Sequence, residues 1–112
     1  MPMGKMGNLG EFEMLVLAAL VRLEAEAYGA AVRTEIEART KRNVSIGALY
    51  TTLSRLEAKQ LVVSRLGEAT AERGGRAKRY YKLTAAGRAQ LERSIATLGR
   101  MIEGIALWPA RR

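Results

Sequence analysis

An amphipathic helix followed directly by a glycine-containing hairpin, between Ser45 and Leu83, constrains the fold of this 112-residue chain more than any other feature. The segment SIGALYTTLSRLEAKQ has four apolar side chains at spacings of three and four, which predicts one buried helical stripe. The four are Ile46, Leu49, Leu53 and Leu56. The next segment, LVVSRLGEATAERGGRAKRYYKL, predicts two strands joined by a turn around Gly74-Gly75.

The other face of this helix is small, polar and cationic, so a DNA groove can accept it at close range. On it we place Ser45, Ala48, Tyr50, Thr51, Thr52 and Arg55, with Lys59 farther along. Residues 38–82 contain eleven Lys or Arg and only three acids, whereas residues 1–37 contain three basic and six acidic residues. This segregation favours binding to a polyanion over a surface that is basic only for solubility.

The hairpin carries the second set of candidate contacts. We predict that helix 45–59 enters the major groove and that a basic wing, residues 67–79, lies on the DNA backbone or in the minor groove. The candidate cations of the wing and its flanks are Lys41, Arg42, Arg73, Arg76, Lys78 and Arg79. A helix and basic hairpin in this order predict a winged helix-turn-helix, a mainly α fold with a small β-hairpin.

Two sequence blocks resemble the PadR family of bacterial transcriptional regulators. The first is Ser45-Ile46-Gly47-Ala48-Leu49-Tyr50 with Arg55-Leu56-Glu57, and the second is Arg79-Tyr80-Tyr81-Lys82-Leu83-Thr84-Ala85-Ala86-Gly87. Tyr28-Gly29 fits the same pattern, and the likeness extends from about Leu9 to Trp108. The resemblance implies a repressor that binds a palindromic operator as a homodimer, through C-terminal helices that pack on the partner's first helix. Gln60 departs from the family, which usually has glycine where the reading helix ends.

The domain organisation follows from the remaining helical patterns. We predict helices over Leu9–Glu24 and Tyr28–Arg39, and a winged helix-turn-helix domain over residues 9–83. The first of these helices is apolar on nearly all sides, which predicts that a partner subunit covers part of it. A C-terminal dimerisation helix from Thr84 to about Leu107 completes the unit at 84–108, with flexible ends at 1–8 and 109–112. We predict that Thr84 caps this helix and that Ser45 caps the reading helix. Its apolar residues are spaced four, three, four, three, like a coiled-coil heptad. The predicted dimer contacts are Leu15, Leu91, Ile95, Leu98, Ile102, Ile105 and Trp108.

Several single roles stay open. Tyr50 has two equal interpretations, a hydrogen bond to phosphate or packing against the wing. Trp108 either closes the dimer interface or stacks on a small hydrophobic or aromatic effector, as aromatic residues do in some PadR-like proteins. Tyr81 and Leu83 alternate in a strand and are expected in the core. An alternative function is a basic winged-helix module that binds structured RNA or acts as an assembly adaptor.

Composition excludes other classes of protein. The chain has no cysteine and no histidine, which removes disulfides, Cys/His metal sites and catalysis by either side chain. The carboxylates are scattered and form no acid/base pair, so we expect neither an enzyme nor a cofactor. The longest apolar run, Met14–Val21, is too short to cross a bilayer, and we expect a cytoplasmic protein.

Overall fold

The computed structural model describes residues 8–68 and 77–106 of the chain. Within these residues the elements are α1 (Glu11–Leu23), a 3-10 turn (Glu24–Glu26), α2 (Gly29–Thr40), α3 (Ile46–Ala58), β1 (Val62–Leu66), β2 (Arg79–Leu83) and α4 (Ala85–Ile102). The predicted mainly α fold with a small hairpin is therefore confirmed. None of the helices in this described part is long and apolar enough to span a membrane.

Two hydroxyl side chains begin the helices that matter most for function. The Ser45 hydroxyl accepts a hydrogen bond from the Ala48 N–H at 2.9 Å, at the start of α3. The Thr84 hydroxyl accepts one from the Gly87 N–H at 2.9 Å, at the start of α4. Each hydroxyl satisfies a backbone donor that has no partner within its helix. Both caps were predicted from the sequence and are confirmed.

The corner between α3 and β1 is built around Gln60. Its φ of 66° lies in the left-handed region, which glycine enters without strain. The Leu61 N–H donates to the Leu56 carbonyl at 3.0 Å, and the Thr84 hydroxyl donates to the Gln60 carbonyl at 2.8 Å. Gln60 therefore adopts the conformation expected of the glycine that it replaces in the family pattern, and hydrogen bonds hold the corner.

The core lies where the three N-terminal helices meet the hairpin. Its buried members come from every described element except the 3-10 turn and include Val16, Leu17, Val32, Ile36, Leu49, Leu53, Leu56, Val62, Tyr81 and Leu91. The prediction that Tyr81 belongs to the core is confirmed, since its side chain is only 6% exposed. Leu83 packs against this core as a partly buried residue.

The hairpin is antiparallel and is joined to the segment before α2. Val62 pairs with Leu83 and Leu66 with Arg79 across the two strands. The Tyr81 N–H donates to the Ala27 carbonyl at 2.9 Å, and Tyr28 forms an isolated bridge with Tyr80. The second strand of the hairpin is thus fixed relative to the start of α2.

The C-terminal helix differs from the prediction in its length and in its contacts. It ends at Ile102 rather than near Leu107, because Glu103 is extended and Gly104 has a φ of 82°. Ile105 therefore lies beyond the helix. Leu91 is buried in the core of its own chain, since the first turns of α4 pack against α1 and β2. These two residues were wrongly placed on one continuous helical seam.

The first helix is better covered by its own chain than the sequence suggested. Phe12, Met14, Leu15 and Leu23 are partly buried against the core, and Val21 is 37% exposed. Crowding of apolar residues on α1 is therefore no evidence of a partner. Ile46, expected in the buried stripe, is 45% exposed, because it begins α3 at the edge of the apolar arc.

Candidate nucleic-acid interface

The outward face of α3 is lined by short side chains. Its exposed members over the first three turns are Gly47, Ala48, Thr51, Ser54 and Arg55. The Arg55 guanidinium makes no hydrogen bond or salt bridge within the described part of the chain, and its charge helps to lower the pKa of Glu13. Its side chain is exposed, so an external anion can bind it. Sequence reasoning missed Gly47 and Ser54, although both lie opposite the stripe formed by Leu49, Leu53 and Leu56.

Thr52 does not belong to this face. Its side chain is only 6% exposed, although we had placed it among the groove-facing residues. Three residues of helix turn by about 300°, so Thr52 is displaced from Leu49 by only about 60° and lies on the buried side. Thr51, one residue earlier, is exposed and keeps its hydroxyl and methyl groups free for external contact.

Tyr50 extends from α3 to the beginning of α2. A β-carbon built on Gly29 would lie 2.6 Å from the Tyr50 ring carbon that carries the hydroxyl, so any larger residue at position 29 would displace this ring. The ring thus packs over Gly29, a partner that the sequence analysis did not consider, and Tyr50 remains 43% exposed. This contact also explains the glycine of the Tyr28-Gly29 pair.

Two cations that flank α3 in the sequence are paired with acids of α1. The Arg42 guanidinium donates to the Glu11 carboxylate at 3.0 Å, and the Lys59 ammonium donates to Glu13 at 3.2 Å. Burial acts to raise the pKa of Glu13, but hydrogen bonds from the Gly10 N–H and from Lys59 outweigh it and hold the pKa below its usual value. Exposed ion pairs such as the one at Arg42 contribute about 0–1 kcal/mol, so phosphate can displace Glu11 there.

Lys41 ends α2 in the left-handed conformation, with a φ of 63°. Its N–H donates to the Glu37 carbonyl at 2.9 Å, and its side chain is exposed next to Arg42. Its ammonium group has no ion pair within the described residues, which leaves it free for an external anion.

Aromatic rings hold two cations at the base of the wing. The Lys78 ammonium lies 4.2 Å from the centre of the Tyr28 ring, and the Arg65 guanidinium lies 4.7 Å from that of Tyr80. The two rings meet edge to face with their centres 5.6 Å apart. Such cation–π contacts contribute roughly 0.5–1 kcal/mol at exposed sites, which fixes the position of a charge without neutralising it.

Arg79 is the other described cation of the predicted wing. It donates to the Ser64 hydroxyl at 3.1 Å, and Ser64 in turn donates to the Glu57 carboxylate at 2.8 Å. Arg73 and Arg76, which we also assigned to the wing, lie outside the described residues. The structure thus places Lys78 and Arg79 where the two strands join the wing, with Lys78 against Tyr28 and Arg79 against Ser64.

A second exposed surface follows the end of α4. Ile95, Leu98 and Met101 are 55%, 51% and 80% exposed, an unusual fraction for large apolar side chains on one helix face. Leu98 and Met101 border a groove of about 530 Å³ that is also lined by Leu9 and Met14. Ile102 is partly buried, and Trp108 lies outside the described residues. We call the exposed residues Ile95, Leu98 and Met101 the α4 stripe.

In the described part of the chain, no group of three or more His, Cys, Asp or Glu side chains is arranged to hold a metal ion. The surfaces described above are instead suited to binding, one to a polyanion and one to an apolar partner.

Comparisons with known proteins point to one family. The model of the transcriptional regulator PadR-like family matches residues 16–93. An uncharacterized 37.1 kDa protein of a Streptomyces fradiae transposon is 39% identical over 89 residues, which are 80% of this chain but only 23% of that protein. The chain therefore spans about a quarter of the length of that relative.

Solved structures share the fold over most of the chain. A PadR-like transcription factor from Bacteroides fragilis has a TM-score of 0.66 and 28% identity, covering 85% of this chain and 89% of that one. RosR from H. salinarum has a TM-score of 0.67 and 27% identity, covering 89% and 83%. A PadR-like regulator from Bacillus cereus has a TM-score of 0.61 and 25% identity, covering 84% and 93%.

Proposed function

Because this chain belongs to the PadR-like family of transcriptional regulators, we propose that it binds a palindromic DNA operator as a homodimer and represses transcription. The family consists of regulators rather than enzymes. The single observation that carries the proposal is the outward face of α3, where short side chains and the exposed Arg55 form a surface that a major groove can accept.

In this proposal some side chains of the α3 face contact base edges and determine sequence specificity, and others bind the DNA backbone and fix the position of the protein. Thr51 offers a hydroxyl to base edges and a methyl group to thymine, and Ala48 also suits a thymine methyl. The Ser45 hydroxyl oxygen is occupied by the Ala48 N–H, so its hydrogen remains free to donate to a phosphate. Arg55, Lys41 and the Tyr50 hydroxyl are assigned to the backbone.

The wing supplies a second contact outside the major groove. Lys78 and Arg79 are held at its base by Tyr28 and Ser64, so their charges are already positioned before DNA arrives. Arg73 and Arg76 extend the same cluster along the sequence. We assign these four cations to phosphates or to the adjoining minor groove.

The α4 stripe supports the homodimer. An exposed row of large apolar side chains, beside the groove that Leu9 and Met14 line, fits a second copy of the same helix. Gly99, on the same helix, has no atom within 4 Å of a built β-carbon and therefore allows close approach of another helix. Ile102, Leu15 and Trp108 are assigned to the same interface. A twofold dimer would present two α3 helices to half-sites about 34–36 Å apart.

The proposal also includes a small-molecule effector that would stack on Trp108. We assign it hydrophobic or aromatic chemistry because Trp108 follows the α4 stripe in the sequence. The alternative function, a module for structured RNA or for assembly, lacks a feature of its own in the described residues and is tested by the same binding experiments.

Replacing Arg76, Lys78 and Arg79 together with alanine should weaken binding to every duplex by about tenfold or more. The slope of log affinity against log salt should become about five units less steep per dimer, because six phosphate contacts are lost at about 0.9 unit each. Fluorescence anisotropy with labelled duplexes at several salt concentrations measures both quantities. Structured RNA of equal length serves as the competing ligand.

The matched control replaces Arg22, Arg33 and Arg39 with alanine. All three residues are exposed on α1 and α2, and their substitution removes the same total charge as the wing variant. Two of them form ion pairs, Arg33 with Glu37 and Arg39 with Glu35. The control should leave the salt slope nearly unchanged. Equal losses in the two triple variants would show that net charge, and not the wing, accounts for binding, and tighter binding to the RNA would favour the alternative function.

A further inference from the structure

The helical glycines of this chain differ in whether the fold needs them. Gly29 lies beneath the Tyr50 ring, and a β-carbon on Gly87 would lie 2.9 Å from the Leu61 carbonyl carbon. Gly47 is different, since a β-carbon there would meet only the Ser45 hydroxyl oxygen, at 3.8 Å. The fold therefore explains Gly29 and Gly87 by close internal contacts, and it leaves Gly47 without such an explanation.

Backbone conformation does not explain Gly47 either. It is the second residue of α3, in ordinary helical conformation, which every L-residue adopts. Alanine has a higher helix propensity than glycine, so a chain selected only for stability would gain from alanine at this position. The reason for glycine must then lie outside the chain, on the exposed side of α3.

We propose that Gly47 is the point of closest approach between α3 and duplex DNA, so that its missing side chain determines how deeply the helix enters the groove. The inference rests on the proposed function. Gly47 is flanked on the exposed face by Ala48 and Thr51, which are also short. A side chain at position 47 would stand between the helix and the groove, where DNA atoms would otherwise contact the backbone of α3.

The test uses Gly47→Ala and Gly47→Leu in the full-length protein. Both variants should melt at or above the temperature of the parent, because open space surrounds position 47 and both residues favour helix. Gly47→Leu should bind a duplex selected by the parent from a random library at least about tenfold more weakly, and Gly47→Ala should be intermediate. A random-sequence duplex of the same length is titrated in parallel.

Ala86→Leu is the matched control. Ala86 is exposed and is the second residue of α4, so it has the same place relative to its helix cap as Gly47 in α3. It should retain the affinity of the parent. A loss for Gly47→Leu on the selected duplex alone would identify a base edge as the neighbour of Gly47, and equal losses on both duplexes would identify the backbone.

The outcome separates this inference from the function on which it rests. If the parent binds duplex DNA and Gly47→Leu binds within twofold of it, the proposal for Gly47 is overturned and the proposed function stands. If the parent binds neither duplex, the proposed function fails and the role of Gly47 fails with it.

Discussion

If the protein is the homodimer that we propose, substituting Leu98 with glutamate should give a folded monomer and lower the affinity for the proposed operator by about 10²–10⁴-fold. Leu98 is 51% exposed in the single chain, so a carboxylate there costs the monomer little. In a twofold dimer the stripe would be buried, and two like charges would face each other without partners. The two half-sites would then be bound by independent subunits.

Sedimentation at several protein concentrations measures the mass of this variant, and circular dichroism shows whether it is folded. Ala96→Glu is the control, because Ala96 is exposed two residues before Leu98 and therefore points to a different side of α4. It should sediment as the parent does. A Leu98→Glu protein that remains dimeric and binds operator normally would exclude the α4 stripe as the interface.

Substituting Gly87 with alanine should lower the free energy of unfolding by about 2–3 kcal/mol. The new β-carbon would lie 2.9 Å from the Leu61 carbonyl carbon and closer still to its oxygen. Leu61 cannot move away easily, because its carbonyl accepts a hydrogen bond from the Thr84 N–H at 3.0 Å. Either α4 must tilt away from β1, or the hydrogen bond between Thr84 and Leu61 must break.

Urea denaturation followed by circular dichroism measures this loss, with Gly47→Ala as the control substitution. Because position 47 is open, the control should be as stable as the parent or more stable by up to about 1 kcal/mol. Equal stability of the Gly87→Ala variant and the parent would mean that α4 packs less tightly on Leu61 than the structure describes.

The sequence predicted those features that depend on periodicity and on local hydrogen bonding. The stripe through Leu49, Leu53 and Leu56 predicted α3, and the hydroxyls of Ser45 and Thr84 predicted where α3 and α4 begin. These patterns depend on neighbours within four residues, which a linear sequence contains in full. The family blocks in turn predicted the family to which the comparisons assign the chain.

Features that depend on contacts between distant segments could not be predicted in the same way. Nothing near Gly87 in the sequence shows that its α-carbon packs on Leu61, and nothing near Gly29 shows the Tyr50 ring above it. Leu91 has the spacing of a dimer contact, yet the position of α1 and β2 decides that it is buried within its own chain.

In the candidate site, too, local sequence predicts some features and contacts between distant segments determine the others. Its charge could be predicted from the excess of basic residues over 38–82, but the partner of each cation could not. Lys78 stacks on Tyr28 and Arg42 pairs with Glu11, across separations of 50 and 31 residues that no local pattern encodes. Thr52 was misplaced because a polar residue at the edge of an apolar arc can lie on either side.

Selection from a random library of duplexes of about 30 base pairs tests most directly whether this protein is a dimeric, sequence-specific DNA-binding protein. The parent protein is used at physiological salt, and the retained duplexes are sequenced. We expect an inverted repeat whose half-sites have centres about one helical turn, or a whole number of turns, apart. Retention without sequence enrichment, or enrichment of a single unrepeated motif, would contradict binding of a palindromic operator by two twofold-related α3 helices.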